Sequence, residues 1–508
     1  MFCSRRHSPL LVVALLLLAA LVPASACSFV VSNSNLTAQH GPEVLALANW
    51  WQRWRGPDAT NMRGVHGWSF LHNLLSMTGA FTLQPFVSAS NDVAIVFNGE
   101  VYNYRQLGRT LAGSADAYSS DGLALLPAYE RWGEHFVEHL EGEFAIVLVD
   151  FRTQRVLLST DAFSTKPLWY AQWREPGPLG QHRFLAASYE SALRHLGAPD
   201  GTRKMADANQ AVVLAFPPAQ AAAGGGGGGG GFARVRSFPL VRWDLRQHKN
   251  STRDWVAAFR RAVAVRTRGI KHRAFIGLSS GYDSGAIMLA LQLRRTPFLA
   301  YAISGSEDAR VVDARARFCA STARVERVNA TRAEFEAQHG WLRAHCEPYA
   351  YEMEARRGEA VWDDEAATGM SLVLRRVRAL GGLIYLSGSG ADEIISDYAR
   401  GGRKIYPHSC FGGVFPADLG EKGFFPWCSF YGGSQRAFLM KEELTSGAHG
   451  VEGRYPFLDP AVVQEFLWLS ADVKNSEYKR PVADFLRAHS FANTWNQKVG
   501  FTASRNLP

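Results

Sequence analysis

The stretch that most restricts the fold lies at residues 274–293. Ala274-Phe275-Ile276-Gly277-Leu278 is a short apolar run. Ser279-Ser280-Gly281-Tyr282-Asp283-Ser284-Gly285 follows as a loop of small and hydroxyl residues, and Ala286 to Leu291 opens a helix. A short apolar run bounded by turn residues predicts a strand buried on both faces of a parallel sheet. Small loop residues let backbone N–H groups approach an anion, and the helix N-terminus adds partial positive charge. Ser279 and Ser284 offer hydroxyls, and Asp283 is a candidate Mg²⁺ ligand beside phosphates. No Gly-Lys-Ser/Thr follows, so this is not a Walker A loop. A second apolar strand, Gly382 to Leu386, leads into Ser387-Gly388-Ser389-Gly390-Ala391-Asp392-Glu393. In a doubly wound sheet ligands sit at the carboxyl ends of strands, so the two loops can face one nucleotide.

The first loop resembles the Ser-Gly-Gly-X-Asp-Ser loop of N-type ATP pyrophosphatases. The second resembles the Ser-Gly-Glu-Gly-Ala-Asp-Glu motif of asparagine synthetases. Gly450-Val451-Glu452-Gly453-Arg454-Tyr455-Pro456-Phe457-Leu458-Asp459 is similar to that family's Gly-X-Glu-X-Arg-X-Pro-Phe-Leu-Asp, and Trp495, Gln497, Lys498 and Phe501 echo its closing motif. The resemblance implies that Leu278 and Ile303 contact the adenine and ribose of ATP. It implies that Ser279, Ser280, Gly281, Asp283, Ser284, Ser387 and Gly388 bind the rest of ATP, and that Asp283 and Asp392 hold Mg²⁺. Lys479, or its neighbour Arg480, falls where the family has a Lys that offsets charge at an adenylate. Two departures stand out. Ser280 replaces a Gly, adding a Cβ where backbone approach is tight. Ser389 replaces a Glu tied to forming and using the aspartyl-adenylate. Glu347 and Glu352 are candidate substitutes, and Glu354 to Asp364 reads as an insertion.

The amino terminus predicts a signal peptide over 1–26. Arg5 and Arg6 precede the apolar run Leu10 to Val22, and Ala24-Ser25-Ala26 is a cleavage pattern. An uncleaved anchor and a lipidated Cys27 are the rival readings. Cleavage exposes Cys27, which then carries a thiol nucleophile and an amine base on one residue. Cys27-Ser28-Phe29, Arg55-Gly56-Pro57-Asp58, Asn98-Gly99-Glu100-Val101-Tyr102-Asn103, Ser120-Asp121, Lys166-Pro167-Leu168 and Ala187-Ser188 resemble the ordered landmarks of class II glutamine amidotransferases. The resemblance implies an oxyanion hole at Asn98 and Gly99, with Arg55, Glu100 and Asp121 also binding glutamine. Here too one residue departs: Leu74 stands where the family has a carboxylate-clamping Arg, and Arg63 is the nearby cation.

With 508 residues, 47% of them hydrophobic, the chain has room for two or three packed domains. The net charge of +9 is spread along the sequence rather than clustered, which points to a solvated surface and away from nucleic acid. The expected organisation is α/β. An αββα sandwich of Ntn type spans 27–215, a linker with the Gly224 to Gly231 run spans 216–250, and a doubly wound parallel domain spans 251–508. Cys319, Cys346, Cys410 and Cys428 suit two disulfides, with all three pairings open. Sequons at Asn35, Asn250 and Asn329 suit glycosylation in the secretory lumen or outside the cell. No stable membrane span is expected, and a homodimer is one expectation for assembly. The whole predicts a glutamine-dependent synthetase that adenylates a carboxylate, aspartate's by resemblance, with ATP and Mg²⁺. Leu74 and Ser389 leave two alternatives: an ammonia- or amine-using synthetase with a silent glutaminase, and a secreted pseudoenzyme.

Overall fold

Ser28–Ser32 pairs antiparallel with Trp68–Leu74 on one side and His182–Ala187 on the other in the computed structural model, which describes residues 27–177, 180–217, 231–304 and 307–495. These strands centre a six-stranded sheet ordered Lys204–Met205, Trp169–Arg174, His182–Ala187, Ser28–Ser32, Trp68–Leu74, Ala59–Val65. A second six-stranded sheet runs Ala233–Phe238, Ala211–Ala215, Arg155–Thr160, Gly142–Asp150, Val93–Val101, Phe86–Val87. The two-residue period of the strands sorts their side chains. Phe29, Val31 and Phe70 face Ala94, Val96, Ala145 and Val147 of the second sheet. The alternate residues Val30, Leu71 and Leu185 pack under Ala192 and Leu193 of helix Glu190–His195. Ile95, Phe97, Ile146 and Leu148 pack under Leu107 and Leu125 from helices Tyr104–Ala112 and Leu125–Trp132. The result is the expected αββα sandwich.

The segment expected as linker holds a strand. Ala233–Phe238 closes the edge of the second sheet against Ala211–Ala215. Its exposed Arg234 and Arg236 are charged gatekeepers of a sheet edge, and a single buried residue, Phe238, gave the sequence little alternation to read. The signal-peptide residues 1–26, most of the glycine run, and Gln497, Lys498 and Phe501 lie outside the described residues.

The second unit is built on a five-stranded parallel sheet ordered Ala323–Val328, Phe298–Ile303, Arg273–Gly277, Gly382–Leu386, Glu452–Arg454. The chain winds outward from Arg273–Gly277 in one direction and then restarts on its other side with Gly382–Leu386. That reversal is a topological switch point, where a crevice opens at the strand ends. Both candidate loops leave these two adjacent strands. Helix Tyr282–Leu293 is apolar almost all round because it is wedged inside the core, with Ile287, Met288, Leu289 and Leu291 all buried. Among the described residues, no helix is long and apolar enough to cross a membrane.

Among the described residues one disulfide forms rather than two: Cys410 joins Cys428, with Cα atoms 6.2 Å apart, while Cys319 and Cys346 are buried free thiols. Asp397 organises the same loop, accepting from Ser409 Oγ at 2.8 Å and from the Phe411 N–H at 2.7 Å.

The two units meet through buried charges. Glu443 takes Arg55 at 2.7 Å and Lys166 at 2.8 Å, and Arg266 joins Glu143 at 2.7 Å to Asp459 at 2.8 Å. Glu347 clasps the first unit by accepting from Ser191 N at 2.8 Å and Ser191 Oγ at 2.5 Å. Burial pushes the Glu347 carboxyl up to about 7, with the Ser191 bonds opposing. Its pKa is thus higher folded than unfolded, so its contribution is full below about pH 4.5 and is lost as pH rises to about 7, roughly 3 kcal/mol in all. We expect Glu347→Gln to flatten part of the fall in melting temperature between pH 4.5 and 7.5, read as the difference from the parent protein; parallel curves would refute this.

Candidate active sites

The first loop is folded by its own hydroxyls. Ser279 and Ser284 Oγ atoms are 2.7 Å apart, the Ser279 N–H donates to Ser284 Oγ at 3.1 Å, and the Gly281 N–H donates to Ser279 Oγ at 3.2 Å. Ser280 turns away. Its N–H and hydroxyl both donate to Glu307 Oε2 at 2.7 Å, and its side chain is fully buried. The departure from Gly therefore adds no atom to the phosphate side, but the expected role of Ser280 as an ATP ligand is replaced by a structural one. Arg315, which sequence reading missed, braces the loop from behind. It donates to Ser279 O at 2.6 Å, Ala492 O at 2.8 Å and Asn493 Oδ1 at 2.9 Å. A Cβ on Gly285 would lie 2.5 Å from that guanidinium.

Lys479 joins the two loops. Its Nζ lies 2.6 Å and 2.8 Å from the Asp283 oxygens and 2.8 Å from Asp392 Oδ1. Burial works against its charge, but Asp283 and Asp392 outweigh burial and keep it protonated. It sits at φ 49°, the cap of helix Arg480–Ala488, and its side chain is buried. Tyr478 adds a hydroxyl to Asp392 at 3.1 Å. Arg480 instead pairs with Asp484 at 2.8 Å, so of the two candidate cations Lys479 is the one in the site. The loops touch at Gly388, where a Cβ would lie 2.9 Å from Asp283 Cβ. Leu278 and Ile303 end neighbouring strands with their side chains buried in the core, and the Leu278 N–H is taken by Tyr301 O at 2.7 Å. Among the described residues, no group of three or more His, Cys, Asp and Glu side chains gathers as a metal site. Asp283 and Asp392 do reach one shared cation, the Lys479 ammonium. They are hard oxygen donors of the kind that shares Mg²⁺ with phosphate.

Neither candidate substitute carboxylate reaches the Ser389 loop. Glu347 is held by Ser191, and Glu352 lines a separate cleft of about 640 Å³ with Trp169, Tyr349 and Arg357. The expected insertion forms two short turns, Glu354–Arg356 and Val361–Asp363, tied by Arg356 to Asp364 at 2.8 Å.

On the other side, Cys27 precedes the central strand Ser28–Ser32. Its Sγ accepts from the Leu75 N–H at 3.2 Å and lies 3.5 Å from Leu75 O. Burial pushes the thiol pKa up, and the carboxylates Glu452, Asp121 and Glu100 add to it. Asn98 and Gly99 lie within strand Val93–Val101, opposite Ala145 and Phe144, and not in a hairpin turn. Asn98 Nδ2 is buried without a hydrogen-bond partner, as expected of a donor that awaits an oxyanion. Gly99 has φ 131°, and a Cβ there would lie 1.9 Å from Glu143 O. Gly99→Ala should therefore cost about 3 kcal/mol or more and reduce glutamine hydrolysis more than tenfold. Thermal melts and glutamate release check this, and a parent-like variant would refute it. Burial pushes Asp121 up to about 6 against hydrogen bonds from the Val101 N–H at 2.9 Å and Ser120 at 3.3 Å. Glu100 pairs with Arg454 at 3.2 Å.

Arg55 is committed elsewhere than expected. It donates to Cys27 O at 3.2 Å, Tyr189 at 3.3 Å, and Glu443 O and Oε2 at 2.9 and 2.7 Å. It positions the nucleophile's backbone and leaves no face for glutamine's carboxylate. Leu74 is packed in the core, and Arg63 sits on the exposed side of its strand near Asn91, so it does not replace the missing clamp. Lys271, unremarked in the sequence, reaches Ser76 Oγ at 2.9 Å from an exposed position.

A family profile for a glutamine amidotransferase domain matches residues 27–221, and one for asparagine synthase matches 255–415. Each profile falls on one of the two sites just described. The chain belongs to the asparagine synthetase family. A Methanocaldococcus jannaschii protein named as an asparagine synthetase [glutamine-hydrolyzing] 1 is 25% identical over 424 residues, 82% of this chain and 72% of its own length. Asparagine synthetase [glutamine-hydrolyzing] 2 of Arabidopsis thaliana is 26% identical over 433 residues, 82% of this chain and 65% of its own length. Family membership makes the protein an ATP-dependent ligase coupled to a glutamine amidotransferase domain.

Proposed function

We propose that the protein amidates the side chain of aspartate, using glutamine as nitrogen donor. The observation that carries this reading is Lys479 held between Asp283 and Asp392 at the switch point. An aspartate oxygen attacks the α-phosphorus of ATP, the bond to pyrophosphate breaks, and Lys479 offsets the charge that develops there. Asp283 and Asp392 would hold Mg²⁺, which neutralises phosphate charge. Ammonia then attacks the adenylate carbonyl and AMP leaves. In the first unit, removal of residues 1–26 in the secretory pathway supplies the Cys27 amine as base for a thiol whose burial disfavours ionisation. Asn98 Nδ2 and the Gly99 N–H stabilise the oxyanion, while Glu100 and Asp121 receive glutamine's ammonium.

Leu74 and the committed Arg55 favour a second reading in which free ammonia is the donor. AMP release from ATP-Mg²⁺ and aspartate, with glutamine, with ammonia and with neither, separates the two. AMP with glutamine supports the full reaction, AMP with ammonia alone supports the second reading, and no AMP overturns aspartate amidation. If glutamine is used, Lys271 is the candidate for its carboxylate. Lys271→Ala then raises KM for glutamine about tenfold with kcat little changed, and an unchanged KM removes Lys271 from the site.

A further inference from the structure

The family's loop carboxylate is absent at Ser389, yet the loop does not lack a carboxylate. Glu442, on helix Gly433–Ala448, extends into it from the side. The Ser387 hydroxyl donates to Glu442 Oε2, and the Ser389 N–H donates to Ser387 Oγ at 2.9 Å. The Ser389 hydroxyl lies within reach of Glu442 as well. The small Ser389 thus sets a hydroxyl, rather than a second carboxylate, beside Glu442. Glu442 is half-buried beside the loop.

We propose that Glu442 supplies, from the neighbouring helix, the general base that the loop has lost. The assignment rests on the adenylating reading above and assigns one of its steps. As the nitrogen lone pair forms the C–N bond, the C–O bond to phosphorus breaks and AMP leaves with the electron pair. The proton shed by nitrogen passes to a Glu442 oxygen. The state of the carboxyl suits this task. Its enclosed position pushes it up to about 7, against the bonds from Ser387 and Ser389 and the charge of Lys441, so it can take a proton near neutrality. Ser387 orients it.

The test separates the two half-reactions, with aspartate, ATP-Mg²⁺ and ammonia as the probe. Isotope exchange between ATP and pyrophosphate reads adenylation; asparagine formation reads nitrogen attack. Glu442→Gln is expected to keep exchange within about threefold and to lower asparagine formation about 100-fold or more. Hydroxylamine, a nucleophile that needs less base assistance, should recover most of the lost rate. A double variant, Glu442→Gln with Ser389→Glu, returns a carboxylate to the loop and should restore at least about tenfold. Equal loss of exchange and amide formation, or undiminished amide formation, in Glu442→Gln overturns the assignment while leaving the synthetase reading intact. Absence of exchange in the parent protein overturns that reading and the assignment with it.

Discussion

Lys479→Met is expected to lower ATP–pyrophosphate exchange by at least about 100-fold. The ammonium touches both loops' carboxylates, at 2.6 Å to Asp283 and 2.8 Å to Asp392. Methionine fills a similar volume but brings no charge. Two effects follow from one substitution. The charge that develops as pyrophosphate departs loses its counter-ion, which is the loss in rate. Asp283 and Asp392 also lose the ammonium they share, and removing one side of a buried ion pair costs about 3–5 kcal/mol. The second effect has its own signature. A divalent cation can take the vacated position between two carboxylates, so added Mg²⁺ should raise the melting temperature of the variant more than that of the parent. Exchange at the parent rate would remove Lys479 from the mechanism. A melting temperature equally insensitive to Mg²⁺ in both proteins would show that the two aspartates do not share a cation.

Cys27→Ala is the second large effect. Glutamine-dependent asparagine formation should fall by about 10⁴-fold or more, as for loss of a covalent nucleophile. Ammonia-dependent formation should stay within about twofold, because Cys27 lies in the first unit and Lys479 in the second. If residues 1–26 are removed as proposed, amino-terminal sequencing of the parent protein should begin at Cys27. Since burial already pushes the thiol pKa up, a blocked or extended amine should silence glutamine use as fully as the substitution does. Glutamine-driven activity in Cys27→Ala, or full activity from a chain that keeps residues before Cys27, would refute the role assigned to its thiol and amine.

The parts of the molecule that the sequence exposed were those fixed by local chemistry. The strand–loop–helix at 274–293 needs small residues and a buried apolar run, and both can be read along the chain. The Asn98-Gly99-Glu100 landmark was legible too, through its resemblance to the class II amidotransferase motif. What stayed hidden was set by residues far apart in sequence. Arg315 reaches Ser279 across 36 positions, and Glu442 reaches Ser387 across 55. No spacing rule brings such pairs together. Arg55 shows the converse failure: its motif was legible, but its partner Glu443 lies 388 residues away, so the sequence could not show that its guanidinium was occupied. The edge strand Ala233–Phe238 was missed because edge positions carry charges where a central strand carries apolar residues.

Glu442 and Glu443 are successive residues on one helical turn, yet they answer to different chemistries. The first leans on the Ser387 loop, and the second grips Arg55, which holds the carbonyl of Cys27. Their side chains leave the axis about 100° apart, so a single helical turn borders both sites. A substitution that displaces this helix is therefore expected to disturb the Ser387 loop and the Arg55 anchor of Cys27 together, whereas one confined to either glutamate leaves the other contact in place.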